Sequence, residues 1–206
     1  MITSVQQWVT YLKEAGGLIG VPLALGGLVL MAGGWRLWRP AIVLSFGVIG
    51  AAAGACLAPP MHPVWLYALG GAVLLGAASF PKPRYSVSLL GGIVGAGIVN
   101  YACEAVGLGP PTLWVVTGIA LLAATAVAFL DVRQVIIMVT AFEGAVLVVS
   151  AAVAFVAEMP GLFNYFRSMA YGGGVFVPFL LLVPTVVGTL LQMADAKQKD
   201  SGLVRG

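Results

Sequence analysis

Charged residues are scarce in this sequence: Asp, Glu, Lys and Arg make up 8% of its 206 residues, where a soluble domain carries roughly 25%. That shortage excludes a water-soluble globule, because too little polar surface remains to cover a sphere of this mass. Histidine occurs once, at His62 beside Pro63, where the plain reading is a solvated loop residue. There is no His and Glu zinc motif, no Gly-rich phosphate loop between a strand and a helix, and no nucleophile elbow. These absences lead us to expect a non-enzymatic protein with no catalytic residues, no cofactor and no metal. The net charge of +3 points to no nucleic acid, since the basic residues serve as topology markers in a chain of this kind.

What is abundant is apolar mass. Hydrophobic residues make up 61% of the chain and the mean hydropathy is +1.05, so most of the exterior must face lipid. A spanning helix needs about 20 apolar residues, which leaves room for seven or eight spans and no soluble domain. Apolar runs closed by Pro, Gly or Arg predict seven helices, at 16–34, 40–58, 64–80, 85–107, 112–130, 134–157 and 171–193, because lipid offers backbone groups no other partner. The expected organisation is an N-terminal interfacial segment over 1–15, with Val5, Trp8, Val9 and Leu12 at helical spacing, a seven-helix transmembrane domain over 16–193, and a polar C-terminal tail over 194–206. The fold class is therefore all-α and polytopic.

The basic residues are distributed one-sidedly. If seven helices alternate, Arg36, Arg39, Lys82, Arg84, Arg133, Lys197, Lys199 and Arg205 share one side, and Lys13 and Arg167 face them. The excess predicts an outside N-terminus and a cytoplasmic C-terminus.

An internal repeat organises the spans. Glycines fall eight and eleven residues after Arg39, at Gly47 and Gly50, and after Arg84, at Gly92 and Gly95; Arg133 gives Ala141 and Gly144. The pattern opens spans two, four and six, at intervals of 45 and 49 residues. Ala24-Leu25-Gly26-Gly27 in span one answers Ala68-Leu69-Gly70-Gly71 in span three. Three consecutive helical hairpins follow, joined by Pro-rich links and closed by a single seventh helix. Residues eight and eleven on share a helix face, so Gly47, Gly50 and Gly54 form a groove where another backbone approaches closely. Arg39, Arg84 and Arg133 are read as cytoplasmic interface anchors.

Few residues inside the spans carry chemistry. Glu143 lies ten residues after Arg133, roughly 15 Å into the membrane at about 1.5 Å per residue. An ionised acid there costs about 2.5 kcal/mol or more, so it should be protonated, paired or facing a wet cavity. Its repeat equivalents are Ile49 and Val94, so the scaffold does not require it. Glu143, with Thr140 or Asn100 nearby, is the candidate ion, proton or partner site. Glu104 and Glu158 are read as solvated helix ends. Cys56 and Cys103 fall near corresponding ends of spans two and four, where they either pair in an oxidising compartment or, as the better supported reading, pack as small apolar residues. Pro178 and Pro184 predict a kinked or broken last span, a feature that lines cavities in transporters.

Arg36-Leu37-Trp38-Arg39-Pro40, continuing to Phe46-Gly47-Val48-Ile49-Gly50, and Val139 to Ala145 in span six resemble the seven-helix domain of transmembrane protein 198 and related bacterial membrane proteins. The resemblance covers about 16–193 and implies seven spans, an outside N-terminus and no catalytic residues; Glu143 departs from its pattern. Two functions remain open at this point. One is a scaffold or packing subunit in a bilayer, partnered by other membrane subunits or by its own copies. The alternative is a small ion or proton channel or transporter using Glu143 and the kinked last helix.

Overall fold

The computed structural model describes residues 9–14, 16–59, 63–172 and 176–203. The first part of the interfacial segment, His62, Gly173 and Gly174 lie outside the described residues. Residues 9–14 are helical, and a 3-10 turn at Gly17–Ile19 leads into α1 (Gly20–Gly33). Then come α2 (Trp38–Leu57), α3 (Val64–Ser79), α4 (Pro83–Ala105), α5 (Pro110–Leu130), α6 (Val132–Ala157), α7 (Pro160–Gly172) and α8 (Phe176–Leu203). Among the described residues there is no strand. Five helices, α2, α4, α5, α6 and α8, are long and apolar enough to cross a membrane, and Gly17–Gly33 and Val64–Ser79 are shorter apolar helices. The all-helical, multi-pass membrane class expected from composition is the class observed.

Local chemistry sets the boundaries. Pro83 and Pro110 occupy first-turn positions, where the missing N–H has no intrahelical partner to lose. At the far end of α4, Gly107 takes a positive φ of 82°. Its N–H donates to the Glu104 carbonyl at 3.0 Å and that of Leu108 to Cys103 at 3.1 Å, a Schellman closure that a residue with a Cβ would strain.

The last helix shows no break at its prolines and outlasts its apolar run. The chain runs as unbroken helix from Phe176 to Leu203, because Pro178 falls in the first turn and only Pro184 is internal. The polar residues 194–203 continue that helix. Helix α7 lies in a stretch that the apolar runs left unassigned. Its 13 residues bury Phe163 and Ala170 and expose Leu162, Tyr165 and Met169.

The chain divides into two compact units, one formed by 1–36 and 137–206 and the other by 37–136. In the second unit, α2 packs closely on α3 and α4 on α5. The close-packed pairs in this unit are therefore joined by the Pro-rich links, α2 with α3 and α4 with α5, and not by the tight turns that the hairpin expectation placed inside each pair. In the first unit, α6 is the most buried helix, with Ala141, Ala145 and Ala154 completely covered. It lies against α1 in reverse order: Gly17 meets Glu158, Gly20 meets Phe155, Gly27 meets Gly144 and Gly34 meets Thr140.

Candidate functional site

The glycines singled out by the repeat sit at the tightest helix crossings. A Cβ on Gly50 would run into the Gly71 carbonyl, one on Gly54 into the Tyr67 carbonyl, and one on Gly92 into the Thr125 hydroxyl. A Cβ on Gly95 would come within 2.7 Å of that of Ala124, whereas Gly47 has more room, 3.8 Å from the Ala72 carbonyl. In the first unit, a Cβ on Gly144 would lie 2.8 Å from the Gly27 carbonyl, and one on Gly188 3.2 Å from the Ala141 Cβ. Backbone approaches this close maximise dispersion contact, which in lipid replaces the missing hydrophobic drive.

The polar residues form two separate groups. In the second unit, Asn100 on α4 donates its amide N–H to Glu104 at 3.0 Å and accepts the Thr117 hydroxyl from α5, also at 3.0 Å. Glu104 is therefore a hydrogen-bond partner as well as a helix-end acid. In the first unit, Thr140 on α6 is 1% exposed, and its hydroxyl donates to Gln192 Oε1 at 3.0 Å. Glu143, one turn further on, is half-buried and engaged. Asn100 and Glu143 thus belong to different units, and Thr140 finds its partner on the last helix.

That partner is the residue sequence reasoning missed. Gln192 is 0% exposed and closes the end of α1 from both sides of its amide. Its Nε2 donates to the Leu30 carbonyl at 2.9 Å, and its Oε1 accepts the Trp35 backbone N–H at 3.0 Å. The Leu30 carbonyl already accepts the Gly34 N–H at 2.9 Å, so the Gln192 amide adds a second hydrogen bond there and ties the residue beyond the helix end to the same side chain. One turn along α8, Asp195 accepts the Trp35 indole N–H at 2.7 Å and pairs with Arg36 at 2.7 Å. The i, i+3 spacing places Gln192 and Asp195 on one face. The available signal was an amide near the end of an apolar span, which demands a hydrogen-bond partner in the membrane.

At the other end of the first unit, the Glu158 carboxylate accepts the Gly17 N–H at 2.7 Å. The ammonium of Lys13 stands 5.4 Å above the Phe163 ring of α7. Among the repeat arginines, Arg84 donates to the Phe129 carbonyl at 3.1 Å and lies 4.5 Å from that residue's ring centre. It thereby neutralises the C-terminal end of α5. Arg39 rests on its neighbour Trp38 at 5.4 Å. Cys56 and Cys103 are free thiols.

Among the described residues, every buried side-chain polar atom has a hydrogen-bond partner. Comparison with protein families, with curated proteins and with solved structures gives no match to this chain.

Proposed function

We propose that this is a non-enzymatic membrane protein that works as a packing or scaffold subunit, assembled with other membrane chains or with copies of itself. The observation that carries this reading is the use made of the intramembrane polar groups. Thr140, Gln192, Asn100 and Thr117 bond helices to one another, so the polar interior holds an architecture together. Large apolar residues such as Trp114, Leu122 and Leu130 on α5 and Leu69, Val73 and Leu74 on α3 remain exposed, as faces that lipid or a partner helix covers. The resemblance to the transmembrane protein 198 domain, which implies no catalytic residues, points the same way. The excess of basic residues at one set of helix ends supports a cytoplasmic C-terminus and an outside N-terminus, with Arg39, Arg84 and Arg133 as cytoplasmic anchors.

A second reading, passage of an ion or proton, is favoured by the half-buried carboxylate of Glu143 in the middle of α6. Native mass spectrometry of the protein in mild detergent, combined with flux in reconstituted vesicles, separates the two. The subunit reading expects a defined oligomer or a copurifying chain and no flux that Glu143→Gln removes. A monomer whose proton or cation flux disappears in that variant overturns it.

A further inference from the structure

The second unit contains a cleft of about 210 Å³ where the start of α2 meets the end of α3, lined by Trp38, Arg39, Ile42, Val43, Ser79, Phe80, Pro81 and Pro83. The geometry points to a binding site for one anionic phospholipid, with the headgroup phosphate at Arg39 and the acyl chains outside the cleft in the surrounding bilayer.

Three observations converge on that ligand. The first is charge. Arg39 is the one charged residue in the lining, and among the described residues no carboxylate pairs with it. Its guanidinium rests 5.4 Å from the Trp38 ring centre, and its planar N–H fork suits the oxygens of a phosphate. Lys82 and Arg84 in the adjoining turn add positive potential, although Arg84 is already occupied at Phe129. The second is the polarity gradient. Ile42 and Val43, Phe80 and the two prolines make the rest of the wall apolar, the Ser79 hydroxyl is turned inward to the Gly76 carbonyl at 2.7 Å, and the Phe80 ring stands exposed at the rim. A ligand with a charged head and an apolar body fits this sequence of surfaces, and a free ion does not use most of it. The third is size. The volume falls below the roughly 300–1,000 Å³ of sites that enclose a drug-sized molecule, so it accommodates a headgroup and glycerol while the chains remain in the bilayer.

The test uses the full chain in dodecyl maltoside, offered phosphatidylglycerol or phosphatidylcholine at equal mole fraction and examined by native mass spectrometry. The expected result is one phosphatidylglycerol retained under activation that strips phosphatidylcholine. Arg39→Gln should lower that retention about fivefold, the effect of one basic side chain at a membrane surface. Val43→Phe should lower it similarly by filling the cleft with no change of charge, which keeps the proposal testable if Arg39→Gln does not fold. Arg133→Gln, which removes the same charge away from the cleft lining, should leave retention unchanged. Equal retention of both lipids overturns the proposal, as does indifference to Val43→Phe or an equal loss in Arg133→Gln. Glycerol 3-phosphate alone, binding with the same dependence on Arg39, would assign the site to a soluble phosphate ester and reject the lipid.

Discussion

The two units of this chain solve one problem by different means. In the second, 37–136, helices adjacent in sequence press glycine against backbone, as Gly50 does on Gly71 and Gly54 on Tyr67, and a few peripheral polar bridges, from Thr117 to Asn100 and from Arg84 to the Phe129 carbonyl, accompany the contacts. In the first, the chain brings its opposite ends together around α6, and a buried amide, Gln192, joins α1, α6 and α8. Sequence neighbours linked by a short turn lose little entropy on docking, so close contact suffices. Helices separated by most of the chain have no such advantage, and directional hydrogen bonds specify which helix end meets which.

The sharpest way to break the contrast is bulk in the second unit. Gly54→Ile forces a branched side chain into the Tyr67 carbonyl and should destabilise the protein by about 3 kcal/mol, seen as an early melting transition in detergent with faster thiol labelling of the half-buried Cys103. Next in size is Gln192→Leu. It removes one interhelical hydrogen bond each from the Leu30 carbonyl, the Trp35 N–H and the Thr140 hydroxyl, and at about 0.6 kcal/mol for each it should cost about 2 kcal/mol. A shift in Trp35 emission with unaltered Cys103 labelling would locate the damage in the first unit. Equal disturbance of both probes would mean that the units share one mode of cohesion. The smallest effect belongs to Gly97→Ala. Nothing lies within 4 Å of a Cβ built there, so the substitution should be neutral or stabilising by up to about 1 kcal/mol. A clear loss of stability would show an unrecognised contact on that face of α4.

Much of this architecture was legible because punctuation in the sequence has a physical meaning. The ends of α2 to α6 fall within two residues of the apolar runs, since Pro, Gly and Arg mark where a helix can start, stop or meet water. The Arg-Gly-Gly spacing pointed to Gly50, Gly54 and Gly92, the positions that backbone or side-chain oxygens crowd most closely. Which helix those glycines face was not legible, because nearly every face is built of Gly, Ala and aliphatic residues and any two look complementary. Helix α7 escaped notice because Asn164, Arg167 and Ser168 interrupt its apolar run, so it reads as a link. The candidate site was legible only in part. Thr140 was marked through its proximity to Glu143, but its partner Gln192 lies 52 residues away, beyond any local periodicity.

The amide cap on α1 also has a consequence in time. The Leu30 carbonyl and its partner Gln192 are separated by 162 residues. At the usual elongation rate of about 5–20 residues per second, the first helix therefore waits about 8–30 s after its own synthesis before the side chain that closes its end has been made. During that interval the helix end rests on its own Gly34 N–H at the Leu30 carbonyl and on interfacial water, a lipid headgroup or the insertion machinery. The last helix is in this sense the step that completes the first.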